Sequence, residues 1–381
     1  MKNLLQESGI TNWEVGLNFE YHRKMKAVFI KRNLTFGGSS KMLAFVANAM
    51  AQEGHDVTMV LYEGSDVMQP LHSNIKVWNK NIMCQGATNH FKMISQLKKI
   101  IKEIAPDVII SFLCFPNFYA TIIGRILRIP VIISERGNPY TLKGLRNRII
   151  YSMFNLANGA VFQTEGARSF FGKGLQKRAA VIANPVVKRE GLTMYDPKTD
   201  NHVISHIARY ENAQKRQDLM IKSMHGVIKS YPDAILKLYG EGEDLEMLQN
   251  IVKEEKLTEN VLFMGRTDKP EQAMIDSEVF ALTSDYEGIP NTVIEAMSVG
   301  MPVVSTDCDP GGARLLIESG TNGFVVPKNN PEAIAENIVE LFSNQDLREK
   351  FSKEAAKITE RFTEEKIAGQ WLEYIHKIAK K

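Results

Sequence analysis

The sequence is poor in cysteine and contains no long apolar run. Only three cysteines, Cys84, Cys114 and Cys308, occur among 381 residues, and their wide spacing fits neither a zinc site nor a disulfide framework. No stretch reaches the ~20 consecutive apolar residues that a membrane-spanning helix requires. Residues 1–24 are polar and do not look like a secretory signal. These absences predict a cytoplasmic protein with reduced thiols, and residues 1–24 are expected to be an N-terminal extension.

Charge of one sign is also scarce. The 47 lysines and arginines nearly balance the 44 aspartates and glutamates, which leaves a net charge of +3. So small an excess, without aromatic residues interleaved among the cations, argues against a nucleic-acid-binding protein. No cluster of histidines and cysteines has the spacing of a metal site. We therefore expect no nucleic-acid partner, no metal and no cofactor.

The sequence does contain a regular alternation of short apolar runs and helical stretches, which is typical of α/β proteins with parallel sheets. A chain of this length commonly forms two domains. The polar segment 188–201 separates two sets of runs and is the predicted linker. The predicted strands are 27–30, 57–61, 108–111, 131–134, 159–162 and 180–182 in the first half, and 203–207, 235–239, 261–264, 279–282, 303–305 and 323–326 in the second.

This alternation predicts two doubly wound, Rossmann-like domains that face each other across a cleft. The first domain is expected at residues 25–190 and the second at 200–355. The helical segment 356–381 is expected to pack back on the first domain. In such sheets a ligand binds at the carboxyl ends of the strands.

The most informative segment holds two glutamates, Glu287 and Glu295, separated by seven residues. An apolar run precedes them, and the pattern predicts a loop at Glu287 and a helix whose first turn or so contains Glu295. The amides at a helix start attract anions, so two carboxylates beside them suit a ligand with both hydroxyls and phosphates. The plainer alternative is a solvated loop residue and a favourable helix charge. The backbone at this helix start belongs to Gly288, Ile289, Pro290, Asn291 and Thr292.

Two cations, Arg209 and Lys215, follow the first predicted strand of the second half. A strand that leads into a loop with two cations and then into a helix suits a diphosphate site. Arginine binds a phosphate with two parallel hydrogen bonds, whereas lysine acts as a point charge. A solvated basic loop is the alternative interpretation.

Together these segments resemble the retaining glycosyltransferases of family 4, in which an E-x7-E element binds the sugar-nucleotide donor. The resemblance extends from Met25 to the end of the chain and is strongest over residues 203–327. It implies the glycosyltransferase B (GT-B) architecture of two Rossmann-like domains, with the acceptor bound by residues 25–190 and the nucleotide donor by residues 200–355. It also implies transfer of a hexose or N-acetylhexosamine from a UDP-linked donor to a hydroxyl of a lipid-linked or polysaccharide precursor.

The resemblance also implies a role for each matching residue. Arg209 and Lys215 would bind the donor diphosphate, Glu287 the sugar and Glu295 the ribose hydroxyls. The sequence departs from the family pattern at Ala208 and Arg216, where glycine is usual. The loops at Gly37-Gly38 and at Gly265-Arg266 would also contact the donor, although a pair of glycines is often only a turn. Arg136, after Glu135, stands in a loop where relatives often carry a histidine close to the transferred sugar.

A basic segment, residues 141–178, indicates a possible contact with an anionic membrane. Its cations include Lys143, Arg146 and Arg148, and apolar residues lie among them at helical spacing. One basic and one apolar face suit a helix that lies on an anionic membrane surface, here the inner face of the cell membrane. The alternative is a helix whose apolar face packs on the sheet.

Two other functions are compatible with the same architecture. A sugar-nucleotide epimerase would need acid and base side chains that the sequence does not reveal. A non-catalytic sugar-nucleotide-binding protein would not need Arg209, Lys215, Glu287 and Glu295 all intact.

Overall fold

The computed structural model describes residues 23–35, 37–64, 67–79, 82, 89–137, 139–141, 144–186 and 191–380. Several predictions fall outside these residues. They concern most of the extension at 1–24, Cys84, Lys143 and the start of the linker at 188–190. Cys114 and Cys308, which are described, are both free thiols.

The first sheet has seven parallel strands in the order β3-β2-β1-β4-β5-β6-β7. The order reverses between β1 and β4, so the carboxyl ends of these two strands open a crevice. The strands are β1 (Lys26–Lys31), β2 (Asp56–Leu61), β3 (Lys76–Asn79), β4 (Val108–Phe112), β5 (Val131–Glu135), β6 (Gly159–Phe162) and β7 (Ala179–Val181).

The second sheet has six parallel strands in the order β10-β9-β8-β11-β12-β13. Here the order reverses between β8 and β11. The strands are β8 (Val203–Ile207), β9 (Ile235–Tyr239), β10 (Val261–Gly265), β11 (Val279–Leu282), β12 (Val303–Thr306) and β13 (Phe324–Val326).

Helices connect the strands of both sheets. Those of the first half are α1 (Gly38–Gln52), α2 (Asn89–Ile104), α3 (Cys114–Leu127), α4 (Leu145–Phe154), α5 (Glu165–Ser169) and α6 (Lys173–Gln176), with a 3-10 turn at Pro139–Thr141. Those of the second half are α7 (Asn212–Lys215), α8 (Gln217–Ser230), α9 (Leu245–Glu254), α10 (Pro270–Met274), α11 (Asn291–Ser298), α12 (Gly312–Leu316), α13 (Pro331–Ser343), α14 (Gln345–Ala356), α15 (Ile358–Arg361) and α16 (Glu364–Ala379).

Local sequence explains where several helices begin. Asn330 accepts a hydrogen bond from the Ala333 amide, and Pro331 occupies the first helical position of α13, where its missing N–H leaves no hydrogen bond unmade. Thr363 caps α16 in the same way through the Lys366 amide. Such caps typically stabilise a helix by about 1 kcal/mol. Within the described residues, no helix is both long and apolar enough to cross a bilayer.

The central strands read as continuous apolar runs because helices cover both faces of each sheet. Every residue of β4 and β5 is buried. One core lies between the first sheet and α2, α3 and α4, and another fills the second lobe. The largest core combines residues of both sheets with the inner face of α16.

The last helix, α16, packs against the first sheet. The Trp371 ring stacks on Phe112 with the ring centroids 5.5 Å apart. The Tyr374 hydroxyl accepts a hydrogen bond from the Ala160 amide at 2.9 Å and donates one to the Arg178 carbonyl. We call residues 23–186 with α16 the N-lobe and residues 191–361 the C-lobe.

Candidate active site

The carboxyl ends of β8 and β11 bring Lys215 and Glu287 into contact. Lys215 ends α7, and Glu287 lies in the loop between β11 and α11. The ammonium group forms an ion pair with Glu287 Oε1, and the two side chains are only 14% and 12% exposed. Ser284 Oγ donates a second hydrogen bond to the same oxygen at 2.8 Å. The carboxylate is therefore fixed in position by two neighbours.

Backbone contacts hold these two loops together. The Asp285 amide donates to the Gln214 carbonyl at 2.8 Å, and Gln214 Nε2 donates to the Tyr286 carbonyl at 3.0 Å. Thr283 Oγ1 lies 2.9 Å from the Lys215 carbonyl, to which it donates. The Lys215–Glu287 pair thus rests on a rigid double loop.

Arg216 stands where the family usually has glycine, and the structure shows how the chain tolerates it. Its backbone is left-handed, with φ 51° and ψ 46°. That conformation costs roughly 1–2 kcal/mol in a residue with a side chain. The guanidinium turns towards Asp218, at 3.0 Å, and Asp285, at 3.3 Å. Arg216 is therefore engaged by these two acids, which leaves Lys215 beside Glu287.

Arg209 lies near this pair but is not bound to it. Its guanidinium pairs with Glu211 at 2.9 Å, and the side chain is 71% exposed. The pKa of the Tyr286 hydroxyl is raised, chiefly by burial and further by Glu211 and Glu287, while Arg209 opposes the rise. These effects place Arg209, Glu211 and Glu287 around one tyrosine.

The start of α11 faces the N-lobe. The side chain of Pro290 offers no cap to the helix, and Ile289 is buried. Asn291 Oδ1 accepts a hydrogen bond from Asn184 Nδ2 at 3.1 Å. Thr292 follows on the helix. Glu295 is the fifth residue of α11 and lies just beyond its first turn.

Gly288 lies at a point where the two lobes approach each other closely. A Cβ atom there would lie 2.2 Å from the Gln163 side-chain amide and 2.8 Å from the Arg136 carbonyl oxygen. Across the same gap, a Cβ atom on Gly38 would lie 3.4 Å from Asn291 Nδ2. Gly37, with φ 132°, precedes it. The structure thus brings Gly37-Gly38 and the Gly288 turn to opposite sides of one cleft.

Gly265 and Arg266 lie at the other edge of the second sheet. Gly265 ends β10, which is separated from β8 by β9. Its carbonyl accepts from the Gly240 amide at 2.9 Å. Arg266 is 61% exposed and pairs with Glu241 and Asp268. No described contact joins these residues to the Lys215–Glu287 pair.

Glu135 and Arg136 follow β5 on the N-lobe side. Glu135 Oε1 accepts from the backbone amides of Arg136, at 3.2 Å, and Gly137, at 3.3 Å. Burial nevertheless raises the pKa of the Glu135 carboxyl to about 7. The Arg136 guanidinium donates to Asn184 Oδ1, so it points towards the cleft.

Sequence reasoning missed several residues around the pair. His206 is fully buried beneath it, and burial, followed by the Lys215 charge, lowers the pKa of its imidazole to about 3. Its ring is therefore neutral and lies 3.3 Å from Thr283 Oγ1. Alternation along β8 could have placed His206 inside, but only the fold shows what it contacts.

Sequence reasoning found no Asp-x-Asp signature, yet Asp307 and Asp309 have that spacing. Asp307 pairs with Arg314 at 2.8 Å, and Asp309 pairs with Lys328. Both carboxylates are thus neutralised by cations. Among the described residues, no three histidines, cysteines or acids gather as a metal site would require.

Two Rossmann-like lobes, with strand ends that meet across a cleft holding a lysine–glutamate pair, define a glycosyltransferase of the GT-B architecture. Residues 36–188 match the family described as Glycosyltransferase Family 4, and residues 194–358 match Glycosyl transferases group 1. The chain belongs to the family 4 glycosyltransferases.

Its relatives include an uncharacterized glycosyltransferase of Haemophilus influenzae, 27% identical over 90% of this chain and 97% of the relative. A Campylobacter jejuni enzyme, an α-1,4-N-acetyl-D-galactosaminyltransferase that acts on an undecaprenol-PP-linked saccharide, is 24% identical over 93% of this chain and 99% of its own. The structure of Anabaena HepE in complex with UDP superposes with a TM-score of 0.76 at 19% identity, over 92% of this chain and 99% of HepE. This last likeness establishes the fold.

Proposed function

We propose that this protein is a retaining glycosyltransferase that moves a hexose or N-acetylhexosamine from a UDP-linked donor to an acceptor hydroxyl. The observation that carries the proposal is the Lys215–Glu287 pair, held at the strand ends beside the start of α11. A lysine ammonium has three donors, so one bond to Glu287 leaves others for a phosphate. Relatives crystallised with UDP and UDP-glucose support the choice of donor.

Each residue has a role in this reaction. Lys215 and Arg209 bind the diphosphate, and the backbone from Gly288 to Thr292 orients sugar and phosphate. Glu287 accepts hydrogen bonds from sugar hydroxyls, and Glu295, one turn further along α11, accepts those of the ribose. Glycine loops at Gly37-Gly38 and Gly265-Arg266 line the donor.

The chemical step is a displacement at the anomeric carbon. The bond from this carbon to the diphosphate oxygen breaks, the acceptor oxygen forms its bond on the same face of the sugar, and the proton of the acceptor hydroxyl passes to the departing phosphate oxygen. Negative charge develops on the leaving phosphate, and cations already in place stabilise it. Lys215 and Arg209 supply that charge, so the reaction needs no metal ion or other cofactor.

We propose a lipid-linked or polysaccharide precursor as the acceptor, bound at the cytoplasmic face of the cell membrane. Helix α4 carries the surface that supports this. Its residues Ile150 and Phe154 pack inside the N-lobe, while Leu145 is 74% and Ile149 53% exposed. Arg146, on the same helix, lies over the exposed ring of Phe115 at 5.3 Å. Cations beside exposed apolar side chains suit an anionic lipid surface.

The function is tested by incubating the protein with radiolabelled UDP-sugars, with and without a bacterial lipid extract. Release of UDP that depends on the extract, with label in the lipid fraction, is expected. Isomerised donor without UDP release would identify an epimerase instead. Binding without turnover of any donor would leave a non-catalytic sugar-nucleotide-binding protein. Either result would overturn the proposal.

The membrane contact is tested separately by sedimentation with vesicles that contain anionic phospholipid. Replacing Lys143, Arg146 and Arg148 together by serine is expected to reduce the sedimented fraction, because each cation near such a surface contributes about 1 kcal/mol. The matched control replaces three exposed lysines of the C-lobe, Lys222, Lys229 and Lys253. Equal sedimentation of both triple variants would remove the membrane from the proposal.

A further inference from the structure

The N-lobe wall of the cleft holds a half-buried cation that the roles above do not use. Arg136 is the first residue after β5. Its Nη2 donates to Asn184 Oδ1. Its Nη1 is inaccessible to solvent and has no hydrogen-bond partner among the described residues. Burial lowers the pKa of the guanidinium to about 9, which is still high enough to keep it charged at neutral pH.

The guanidinium is fixed in this position by aromatic stacking. Its central carbon lies 5.7 Å from the centre of the Phe112 ring. Phe112 in turn stacks on Trp371, and both rings are fully buried. The cation therefore cannot swing out to water without leaving a stacked platform in the largest core.

No described carboxylate pairs with Arg136. The charged group that acts on it is Glu135. Neighbouring residues at a strand end point to opposite faces of the sheet. Accordingly, the Glu135 carboxylate raises the pKa of Cys114 and Tyr151, which line the α3 and α4 side, whereas Arg136 lies over Phe112. The buried Nη1 of Arg136 has no hydrogen-bond partner among the described residues. Such a group is unfavourable unless it is paired, which favours an anion bound beside it.

The position of Arg136 indicates which part of a bound ligand would lie beside it. Its carbonyl oxygen borders the Gly288 turn, 2.8 Å from where a Cβ atom would stand. Asn184, which accepts from the guanidinium, donates in turn to Asn291 at the start of α11. The guanidinium thus lies directly across the cleft from the backbone proposed to orient the donor.

We propose that Arg136 binds an oxyanion of the nucleotide-sugar donor. This inference rests on the proposed function, because it requires a donor at the start of α11. A guanidinium binds both phosphate and carboxylate with two parallel hydrogen bonds. The oxyanion is therefore either the diphosphate, which all such donors share, or the carboxylate of a uronosyl donor.

The test measures the dissociation constants of UDP, UDP-glucose and UDP-glucuronate by titration calorimetry. Arg136→Gln is compared with the wild type and with Arg125→Gln, which removes an exposed cation from α3. If Arg136 binds the diphosphate, the Arg136→Gln variant loses about tenfold or more in affinity for all three ligands. If it binds a sugar carboxylate, only UDP-glucuronate is weakened. Arg125→Gln is expected to change none of the three.

Arg136→Lys keeps the charge but cannot form two parallel hydrogen bonds. It replaces Arg136→Gln in the test if that variant does not fold. It is expected to weaken the same ligands as Arg136→Gln. Unchanged affinity for all three ligands in the folded variants would overturn the role of Arg136 alone. The role would also be overturned if the variant melted at a lower temperature without ligand but showed the same rise in melting temperature on adding ligand. That pattern would mark a purely structural arginine. A wild type that binds none of the three would overturn the donor site as well.

Discussion

The two walls of the cleft hold their charges in different ways. On the C-lobe side each cation near the strand ends has a carboxylate partner: Lys215 has Glu287, Arg216 has Asp218 and Asp285, and Arg209 has Glu211. On the N-lobe side Lys31, which is buried, and Arg136, which is half-buried, donate side-chain hydrogen bonds only to hydroxyl and amide oxygens among the described residues. Lys31 Nζ donates to Ser39 Oγ and Ser40 Oγ, both at 2.9 Å.

This difference separates two functions of charge. An ion pair such as Lys215–Glu287 is nearly neutral as a unit, and its geometry orients hydroxyls and phosphates. A buried cationic group without a carboxylate partner is unfavourable until an anion arrives, so it favours an occupied cleft. The C-lobe wall is thus proposed to orient the donor, and the N-lobe wall is proposed to attract it.

The largest expected effect comes from removing the Lys215–Glu287 ion pair of the C-lobe wall. Lys215→Met leaves the Glu287 carboxylate without its cation. It also removes a positive charge that is proposed to stabilise the leaving phosphate. Loss of one such stabilising contact lowers kcat by roughly 100- to 1,000-fold. Release of UDP from the donor in the presence of lipid extract measures it. Lys253→Met, an exposed lysine on α9, is the control, and equal rates in the two variants would contradict the role of Lys215.

Lys31, on the N-lobe wall, is expected to make the free energy of unfolding depend on pH. Burial lowers the pKa of Lys31 from 10.5 to about 8, and its side chain is 2% exposed. Below the folded pKa both states are protonated, and the native state carries the full desolvation penalty, roughly 3 kcal/mol for such a shift. Between the two pKa values the unfolded chain binds more protons, so native stability rises with pH.

Lys31→Met removes this titration. Its free energy of unfolding minus that of the wild type is therefore expected to fall by roughly 3 kcal/mol between pH 7 and pH 10.5. Urea denaturation across this range measures the difference. Lys26→Met, at an exposed lysine of β1, provides the baseline. A difference that stays constant with pH would show that Lys31 is not desolvated.

How much of this follows from sequence differs between fold and site. The strands at Gly159–Phe162, Val203–Ile207, Ile235–Tyr239 and Val279–Leu282 have the predicted bounds, because buried parallel strands consist mainly of apolar residues. Strand β3 was missed. Its burial pattern is mostly exposed, since an edge strand has one face and one side in solvent, and so it lacks such a run.

The site residues divide in a similar way. Lys215 and Glu287 stand out because turn residues and helix starts are local signals. The position of the Arg136 guanidinium depends on Asn184, Phe112 and Trp371, which lie far away in sequence. Pairing of a charge is a tertiary property, so the sequence could identify the cations but not which of them lack a carboxylate.

A smaller effect is expected where the two walls touch. Gly288→Ala places a methyl group 2.8 Å from the Arg136 carbonyl oxygen, which forces the turn or the lobes to move. Crowding of this kind typically costs about 1–3 kcal/mol, and it should appear as weaker UDP binding together with a lower melting temperature. Gly174→Ala is the control, because a Cβ atom there meets only Arg178 Nη1, at 3.8 Å. Equal melting and binding in both variants would mean that the lobes do not meet at Gly288.

The smallest effect on stability is expected at Arg209, the exposed cation of the C-lobe wall. Exposed ion pairs contribute about 0–1 kcal/mol, so Arg209→Ala should leave the melting temperature of the unliganded protein nearly unchanged. The rise in melting temperature on adding UDP should nevertheless shrink, because Arg209 is one of the cations proposed to bind the diphosphate. Glu211→Ala breaks the same ion pair but keeps the cation, and it should preserve or increase the UDP-induced rise. Identical behaviour of the two variants would reduce Arg209 to a surface charge, and Lys215 would then be the single cation of the C-lobe wall assigned to the phosphates.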